Sequence, residues 1–324
     1  MKNNTVCILG GTGFVGRHLV HRLTRHGYRV TLLTRRPERH RGLTVNHNIS
    51  LVEADIFNAD TLRDSFAGSA AVINLVGILN ETGGRENTFV RLHADLPGLV
   101  AETAAASGVE RLLQMSALNA DASEADSRYL QTKGAGEDRA HAAGSAAMAV
   151  TSFRPSVIFG PGDSFFNRFA TLLKLTPAAF PLACPGSRFA PVYVGDVAEA
   201  CCLALEDATT FGQRLELCGP ASYTLKQLVE YTRDTLGLQR LIIGLGNGLS
   251  KLQARALGIM PGKPFSMDNY YSLQHDSVCS NNALPELGIA PVSIEASVPG
   301  YLAARSMRGH YNRFRQHSKR NTAD

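Results

Sequence analysis

Tryptophan is absent from this chain of 324 residues, and so is any apolar run approaching the roughly 20 residues that a membrane-spanning helix needs. The opening MKNNTVCILGGTG passes straight into a short apolar strand and a glycine turn, without the apolar region of a secretion signal. The expected location is therefore cytoplasmic, or at most peripheral on the inner face of a membrane. The six cysteines (Cys7, Cys184, Cys201, Cys202, Cys218, Cys279) contain no C-x-x-C pair and no zinc-ligand spacing. No metal site is expected, and no disulfide framework, which suits a reducing compartment. Internal repeats and low-complexity segments are missing as well. A net surplus of basic charge is missing outside one place: residues 301–324 hold five arginines and one lysine against Asp324, a surplus equal to the whole chain's net +5. A basic tail of this kind does not make a nucleic-acid-binding face spread over a fold, and no nucleic-acid partner is expected. It can act as a solubilising end, or as a docking arm for an anionic membrane surface or a respiratory complex.

What the chain does contain is alternation. Short β-rich runs, TVCILG (5–10), YRVTLLT (28–34), ISLVEAD (49–55), AAVINLVG (70–77), RLLQMSA (111–117) and AMAVTSFRPS (147–156), are separated by helical patterns at about Phe14–Arg25, Ala59–Phe66 and Thr88–Ser107 and by a helix carrying YLQTK. Strands and helices alternating at this spacing predict an α/β fold, a doubly wound parallel sheet of the Rossmann type with a smaller C-terminal substrate domain. The expected division is 1–160 for the nucleotide domain, with 191–206 returning to it as strand and helix, and 161–324 for the smaller domain and its basic tail, 301–324. After Phe159 the rhythm breaks into a Gly-Pro-Gly turn and a polar-aromatic stretch, SFFNRFA, and beyond Leu238 the periodic pattern weakens. A chain of this length buries roughly 75% of its unfolded surface and needs no staples.

Gly10-Gly11-Thr12-Gly13-Phe14-Val15-Gly16 lies between the first strand and the first helix. Glycines there let the backbone approach a pyrophosphate, and the helix start offers N–H groups and positive dipole to it, so a nicotinamide dinucleotide is the expected ligand. An acid that would hold a ribose 2′-hydroxyl is missing: no Asp or Glu precedes Glu38, and the second strand ends in Thr34-Arg35-Arg36. A guanidinium at that point can grip a 2′-phosphate, worth about 1.5–3 kcal/mol, so NADP(H) is expected to be preferred over NAD(H); otherwise the two arginines simply face solvent. Asp55, ending the third strand, could take the adenine amino group or cap the next helix. Ser116 ends the fifth strand, and Tyr129 and Lys133 follow four residues apart, on one face of a helix. A phenol with an ordinary pKa near 10 is a poor base at neutral pH; a neighbouring lysine cation favours the phenolate, and a serine hydroxyl can hold the carbonyl or alcohol undergoing hydride transfer.

In this order, GGTGFVG, SALNA, YLQTK, RPSVIFGPGD and PVYVGDVAEA resemble an extended short-chain dehydrogenase/reductase, of the epimerase/dehydratase kind. The run from SALNA through RPSVIFGPGDSFFNRFA to PVYVGDVAEA, with IMPGKPF and QHDSV later, is similar to the nucleotide-binding accessory subunits of respiratory complex I and their bacterial homologues. The resemblance implies a phosphate loop at Gly10, Gly13 and Gly16, a segment beside the cofactor ribose at Leu75-Val76-Gly77, a catalytic triad of Ser116, Tyr129 and Lys133, and a carboxamide-facing segment at Pro155-Ser156-Val157. It implies either an NADP(H)-dependent oxidoreductase or epimerase acting on an unknown small molecule, or a nucleotide-binding accessory or assembly factor of a membrane respiratory complex that turns nothing over. One position departs: His93, in RLHADLPG, stands where such dehydrogenases often carry an asparagine that supports the lysine through water. It can replace the asparagine in a proton relay or be bonded locally. Phe165, Phe166, Phe169, Phe189 and Tyr193 could line an apolar, lipid- or quinone-accepting pocket, with Arg168 and Arg188 beside it, or form interdomain core.

Overall fold

The structure is a computed structural model. It describes residues 4–81, 88–123, 125–145, 147–260 and 264–302. The basic tail from residue 303 onward, and part of the IMPGKPF segment, lie outside the described residues.

Six strands follow one another as expected: β1 (Thr5–Leu9), β2 (Arg29–Thr34), β3 (Ile49–Glu53), β4 (Ala71–Asn74), β5 (Arg111–Met115) and β6 (Ala149–Pro155). Short strands come later: β7 (Ile158–Phe159), β8 (Ala179–Leu182), β9 (Arg188–Phe189), β10 (Val192–Tyr193), β11 (Arg214–Leu217), β12 (Tyr223–Thr224) and β13 (Leu241–Gly244). The main sheet has seven strands in the order β11-β6-β5-β4-β1-β2-β3, every pairing parallel. It thus takes in Arg214–Leu217, a sheet edge beyond the return segment expected at 191–206.

A parallel sheet buried on both faces sends alternate residues into two cores. In β1, Val6 and Ile8 join a core with α1 (Phe14–Arg25) and α6 (Val194–Ala204). Cys7 and Leu9 point the other way, to α2 (Ala59–Phe66), α3 (Leu96–Ala106) and α4 (Arg128–Ala142). Helices on both faces make the sheet doubly wound. Arg111 is fully buried at the start of β5, where its guanidinium bonds the carbonyls of Ala149 and Ala204 and the hydroxyls of Thr151 and Thr210, tying the sheet to the end of α6.

A second layer is built from α5 (Phe165–Leu175), α7 (Leu225–Thr235), α8 (Asn247–Ile259) and α9 (Met267–Ser272), with the small strand pairs. SFFNRFA therefore opens a helix. Its aromatic residues are core: Phe166 is fully buried, and Phe165, Phe169, Phe189 and Tyr193 pack in the clusters around it. The short α10 (Ala283–Glu286) then joins the β11 side of the sheet, and α11 (Ile294–Leu302) closes against α5. Tyr301 belongs to this last helix and not to a free tail, since its hydroxyl donates to buried Asp163 at 2.5 Å and Leu302 is buried.

The cysteines correct the expectation from spacing. Cys218 and Cys279 are joined by a disulfide across 61 residues of sequence. The chain leaving α9 runs back beside the end of β11, where Asn282 accepts the Cys218 N–H and donates to its carbonyl. Sequence spacing carries no trace of such a return.

Candidate active site

All the strands of the main sheet run the same way, so their carboxyl ends share one rim. Each residue singled out from the sequence follows a different strand onto that rim: the glycine loop after β1, Arg35-Arg36 after β2, Asp55 after β3, Leu75-Val76-Gly77 after β4, Ser116 after β5, and Pro155-Ser156-Val157 at the end of β6.

The glycine loop fits a pyrophosphate. Gly10 has φ +77°, and a Cβ there would meet the Leu75 backbone at 3.0 Å. A Cβ on Gly16 would fall 2.5 Å from Gly11, so helix and loop touch backbone to backbone. Thr12, Phe14 and Val15 are partly open around exposed Gly13. Gly13 caps α1 without a side-chain hydrogen bond, and the first turn carries no acid, which leaves the helix N–H groups and dipole available to an anion. Arg35 and Arg36 are exposed at the end of β2, with no ion pair among the described residues. Asp55 does not cap α2. It accepts the Phe57 N–H at 3.0 Å, and the cap is Asn58, which accepts from Asp60 and Thr61. After β4, Leu75 donates its N–H to Leu9, and Val76 donates to the side chain of buried Asn74, itself bonded to Gln114.

Tyr129, Lys133 and Gly77 come together. Lys133 is buried, donates from Nζ to the Met115 carbonyl at 3.1 Å, and lies so close to Gly77 that a Cβ there would be 3.1 Å from Nζ. Burial draws its pKa down to about 8, with Glu137 pulling the other way. Tyr129, one turn earlier, is half-buried with its ring edge-on to Phe89 and His93, and its hydroxyl has no hydrogen-bond partner among the described residues. Burial, then the Asp268 carboxylate, push its pKa up to about 12, so at neutral pH it is a phenol holding its proton.

His93 is bonded locally. It sits in a turn of π-helix, Val90–Asp95, that leads into α3. Its Nε2 accepts the Ile78 N–H at 3.0 Å, so the ring proton is on Nδ1, 3.4 Å from Thr132 Oγ1. Burial, and next Lys133, lower its pKa to about 2. Neutral, and with its acceptor nitrogen engaged, it fixes the loop after β4 against α4. Gly136 makes the approach possible: a Cβ there would fall 1.7 Å from the His93 carbonyl oxygen.

Ser116 is turned away from the other two. Its hydroxyl donates to Glu137 Oε2 at 3.2 Å, and Glu137, with a fully buried side chain, is gripped by Arg154 at 2.8 Å and lies 3.7 Å from Arg214. Ser156 is held as well, donating to the Ser277 carbonyl at 2.6 Å, while Pro155 and Val157 lend their carbonyls to Leu118 and Val192. Two participants escaped the reading by motif. Glu137 had a signal, since it continues the Tyr129–Lys133 face at the same four-residue step. Asp268 had none: it arrives from α9, 140 residues beyond Arg128, whose N–H it accepts at 2.7 Å while also taking the Ser127 hydroxyl at 3.1 Å. A cavity of about 550 Å³ opens above this point, bordered by Asn80, Phe89, Arg255, Ile259, Met267 and Asp268. Arg168, turned to the Pro264 carbonyl, and Arg188, bonded to Ser222, are engaged elsewhere.

Residues 6–215 match the family model described as the NAD dependent epimerase/dehydratase family. The chain belongs to that family. Its members bind a nicotinamide dinucleotide, in keeping with the glycine cradle. Among characterised proteins, the chain is 30% identical over 305 residues to NADH dehydrogenase [ubiquinone] 1 alpha subcomplex subunit 9, mitochondrial, of Mus musculus, covering 89% of this chain and 77% of that one. It is 34% identical over 193 residues to a ceramide reductase of Caulobacter vibrioides, covering 60% and 58%. Among solved structures, an NADPH-dependent quinone oxidoreductase from Escherichia coli complexed with NADPH superposes with a TM-score of 0.73 at 17% identity, over 92% of this chain and 99% of that one. At that identity the likeness is one of fold. The resemblances read from the sequence motifs agree with these relatives. Among the described residues, no helix is long and apolar enough to cross a membrane.

Proposed function

We propose that the protein is an NADP(H)-dependent oxidoreductase of the extended short-chain dehydrogenase type, acting on the carbonyl or alcohol of a lipid-like or quinone-like molecule. The observation that carries this reading is the juxtaposition of Lys133 with Gly77, on the rim shared with the glycine cradle, one turn from a Tyr129 hydroxyl that keeps its proton. In this reading Gly10–Gly16 hold the pyrophosphate, Arg35 and Arg36 a 2′-phosphate, Asp55 the adenine side, and Leu75–Gly77 with Pro155–Val157 the nicotinamide half. Bound there, the nicotinamide supplies or accepts a hydride. Tyr129 gives its proton to the carbonyl oxygen as the carbonyl becomes an alcohol, and Lys133 stabilises the phenolate left behind. Glu137 and Arg154 position Ser116, whose hydroxyl turns from Glu137 to the substrate oxygen. The second layer, built on α5, α7, α8 and α9, covers the substrate. The cavity walled in part by Phe89, Ile259 and Met267, with Phe89 edge-on to Tyr129, together with the similarity to a ceramide reductase, supports an apolar substrate.

A second reading is favoured by the similarity to the mouse respiratory subunit over most of both chains. The same cradle would hold the nucleotide without turnover, in an accessory or assembly factor docked peripherally on a respiratory membrane complex, with the basic residues 303–324 contributing.

The two readings separate on purified protein supplied with NADPH and a panel of long-chain ketones and quinones. Bound nucleotide with turnover that falls at least about a hundredfold in Tyr129→Phe, while nucleotide affinity holds, supports the enzyme. Tight nucleotide with no turnover on any of the panel supports the accessory factor. Turnover undiminished in Tyr129→Phe removes the tyrosine from the chemistry.

A further inference from the structure

Helix α8 is built inside out. A surface helix normally turns its large apolar residues to the core and its small or polar ones to water. In α8 the inward positions are Ser250 and Ala254, both buried, with Gly258 facing Ser266, a row of small residues spaced four apart. The outward face carries Leu249, Leu252 and Ile259, the last with 88% of its surface in solvent, and Met260 follows. Before the helix, β13 buries Ile242 and turns Leu241 and Ile243 outward. This inversion is the reason the stretch beyond Leu238 lacks a readable core-facing pattern.

The charged side chains on α8 itself have one sign, and Glu81, which lines the adjoining cavity, lies 4.0 Å from Arg128 as an ion pair. No Asp or Glu stands in the sequence between Asp234 and Asp268, whereas Arg240, Lys251 and Arg255 do. Lys251 and Arg255 are exposed on α8 itself, beside the aliphatic row. Asp268, at the border, faces inward to α4. A second copy of the chain would bring cations against cations. The chain's own segment 303–324, rich in arginine, would do the same. An occupant must offer an apolar interior and negative charge at its boundary, and both requirements are met together by a bilayer with anionic headgroups, where basic residues sit at the headgroup level and leucine and isoleucine reach below it.

We infer that α8 and the adjoining β13 form the face by which this protein lies on an anionic bilayer. The inference rests on the peripheral reading given above and assigns it to a folded surface instead of the tail. The same face borders the 550 Å³ cavity through Arg255 and Ile259, so a molecule held in the outer part of the bilayer has a short path to Phe89 and Tyr129.

The lack of tryptophan supplies the test, because Leu252→Trp makes a sole indole reporter in the full-length chain. Added vesicles of phosphatidylglycerol and phosphatidylcholine should shift its emission to the blue, and brominated acyl chains should quench it. Val45→Trp, at a site 90% exposed on the other domain, should show neither effect. Ile259→Glu in the Leu252→Trp background should lower the partition coefficient at least tenfold, and deletion of 303–324 should leave the blue shift in place at saturating lipid. If the full-length protein fails to bind anionic vesicles at low salt, the α8 assignment is overturned, and docking on an acidic face of a respiratory complex is what is left of the peripheral reading. If it binds but the indole at 252 stays in water, or Ile259→Glu binds as the parent does, the peripheral reading survives and the α8 assignment is overturned.

Discussion

At the scale of single residues, the site is a set of side chains whose charge states are decided by burial. His93 is the sharpest case. Unfolded, its imidazole takes a proton near the ordinary 6.5; folded, it refuses one until about 2. Between those values the unfolded chain binds more protons, so stability falls as pH falls below 6.5, by up to about 1.4 kcal/mol per pH unit while the fold persists. His93→Asn should flatten that acid limb in denaturant titrations run at a series of pH values, whatever it does to stability at neutrality. An unchanged slope would mean that the ring is solvated. Arg35 makes a separate prediction. Exposed and without an ion pair among the described residues, it has its guanidinium available for a 2′-phosphate. Calorimetric titration should find NADPH bound about tenfold or more tighter than NADH, and Arg35→Ala should erase most of the difference. Equal affinities in the wild type would reject the arginine pair as the discriminator.

At the scale of elements, α4 organises the site. Its start is capped by buried Ser127 and by Asp268 from α9, its length presents Tyr129, Lys133 and Glu137 at a four-residue step, and Gly136 on the adjoining side lets the π-helical turn rest directly on it. Gly136→Ala must therefore push the two helices apart. Overpacking of this kind costs about 1–3 kcal/mol, and because the turn carries His93 and steadies the loop at Gly77, nucleotide affinity should fall along with the melting temperature. A variant that keeps both would show that the helices can separate without disturbing the rim. Much of α4 was legible in advance. The glycine loop, the helix at Phe14–Arg25 and the Tyr-Lys pair are local patterns, written within a dozen residues by strand alternation, by glycine and by the helical period. What could not be read joins segments remote in sequence. Arg154 reaches Glu137 from the next strand, and Asp268 comes from a layer whose own helix α8 hides its signal by facing its aliphatic residues outward. His93 was legible as a departure, but the direction of its hydrogen bond depends on where the Ile78 amide lies, which only the folded loop after β4 decides.

At the scale of the whole molecule, one covalent link closes the second layer onto the sheet. The loop between Cys218 and Cys279 contains α7, β13, α8 and α9, that is, most of what covers the rim, while Cys218 itself directly follows the edge strand β11. Among the described residues it is the only disulfide, the other four cysteines being free. A bridge spanning 61 residues removes unfolded-state freedom worth about 4 kcal/mol by loop entropy alone, and about 2–4 kcal/mol is the usual yield. Cys279→Ser should accordingly lower unfolding stability by that amount, and a reducing agent should reproduce the loss in the wild type and add nothing to it in the variant. The loss should also be uneven. The main sheet keeps both of its cores without the bridge, whereas the second layer is pinned through the segment that returns past Cys279. Hydrogen exchange should therefore quicken over α7, α8 and α9 and remain slow over β1, β4 and β5. Uniform acceleration, or none, would mean that the return segment is held by its hydrogen bonds at Asn282 and Ser277 without the sulfurs. Because Asp268 and the cavity wall at Ile259 and Met267 lie within the tethered loop, on the proposed enzyme reading reduction should also weaken substrate capture more than nucleotide binding, whose proposed residues stand on the rim of the sheet and the start of α1.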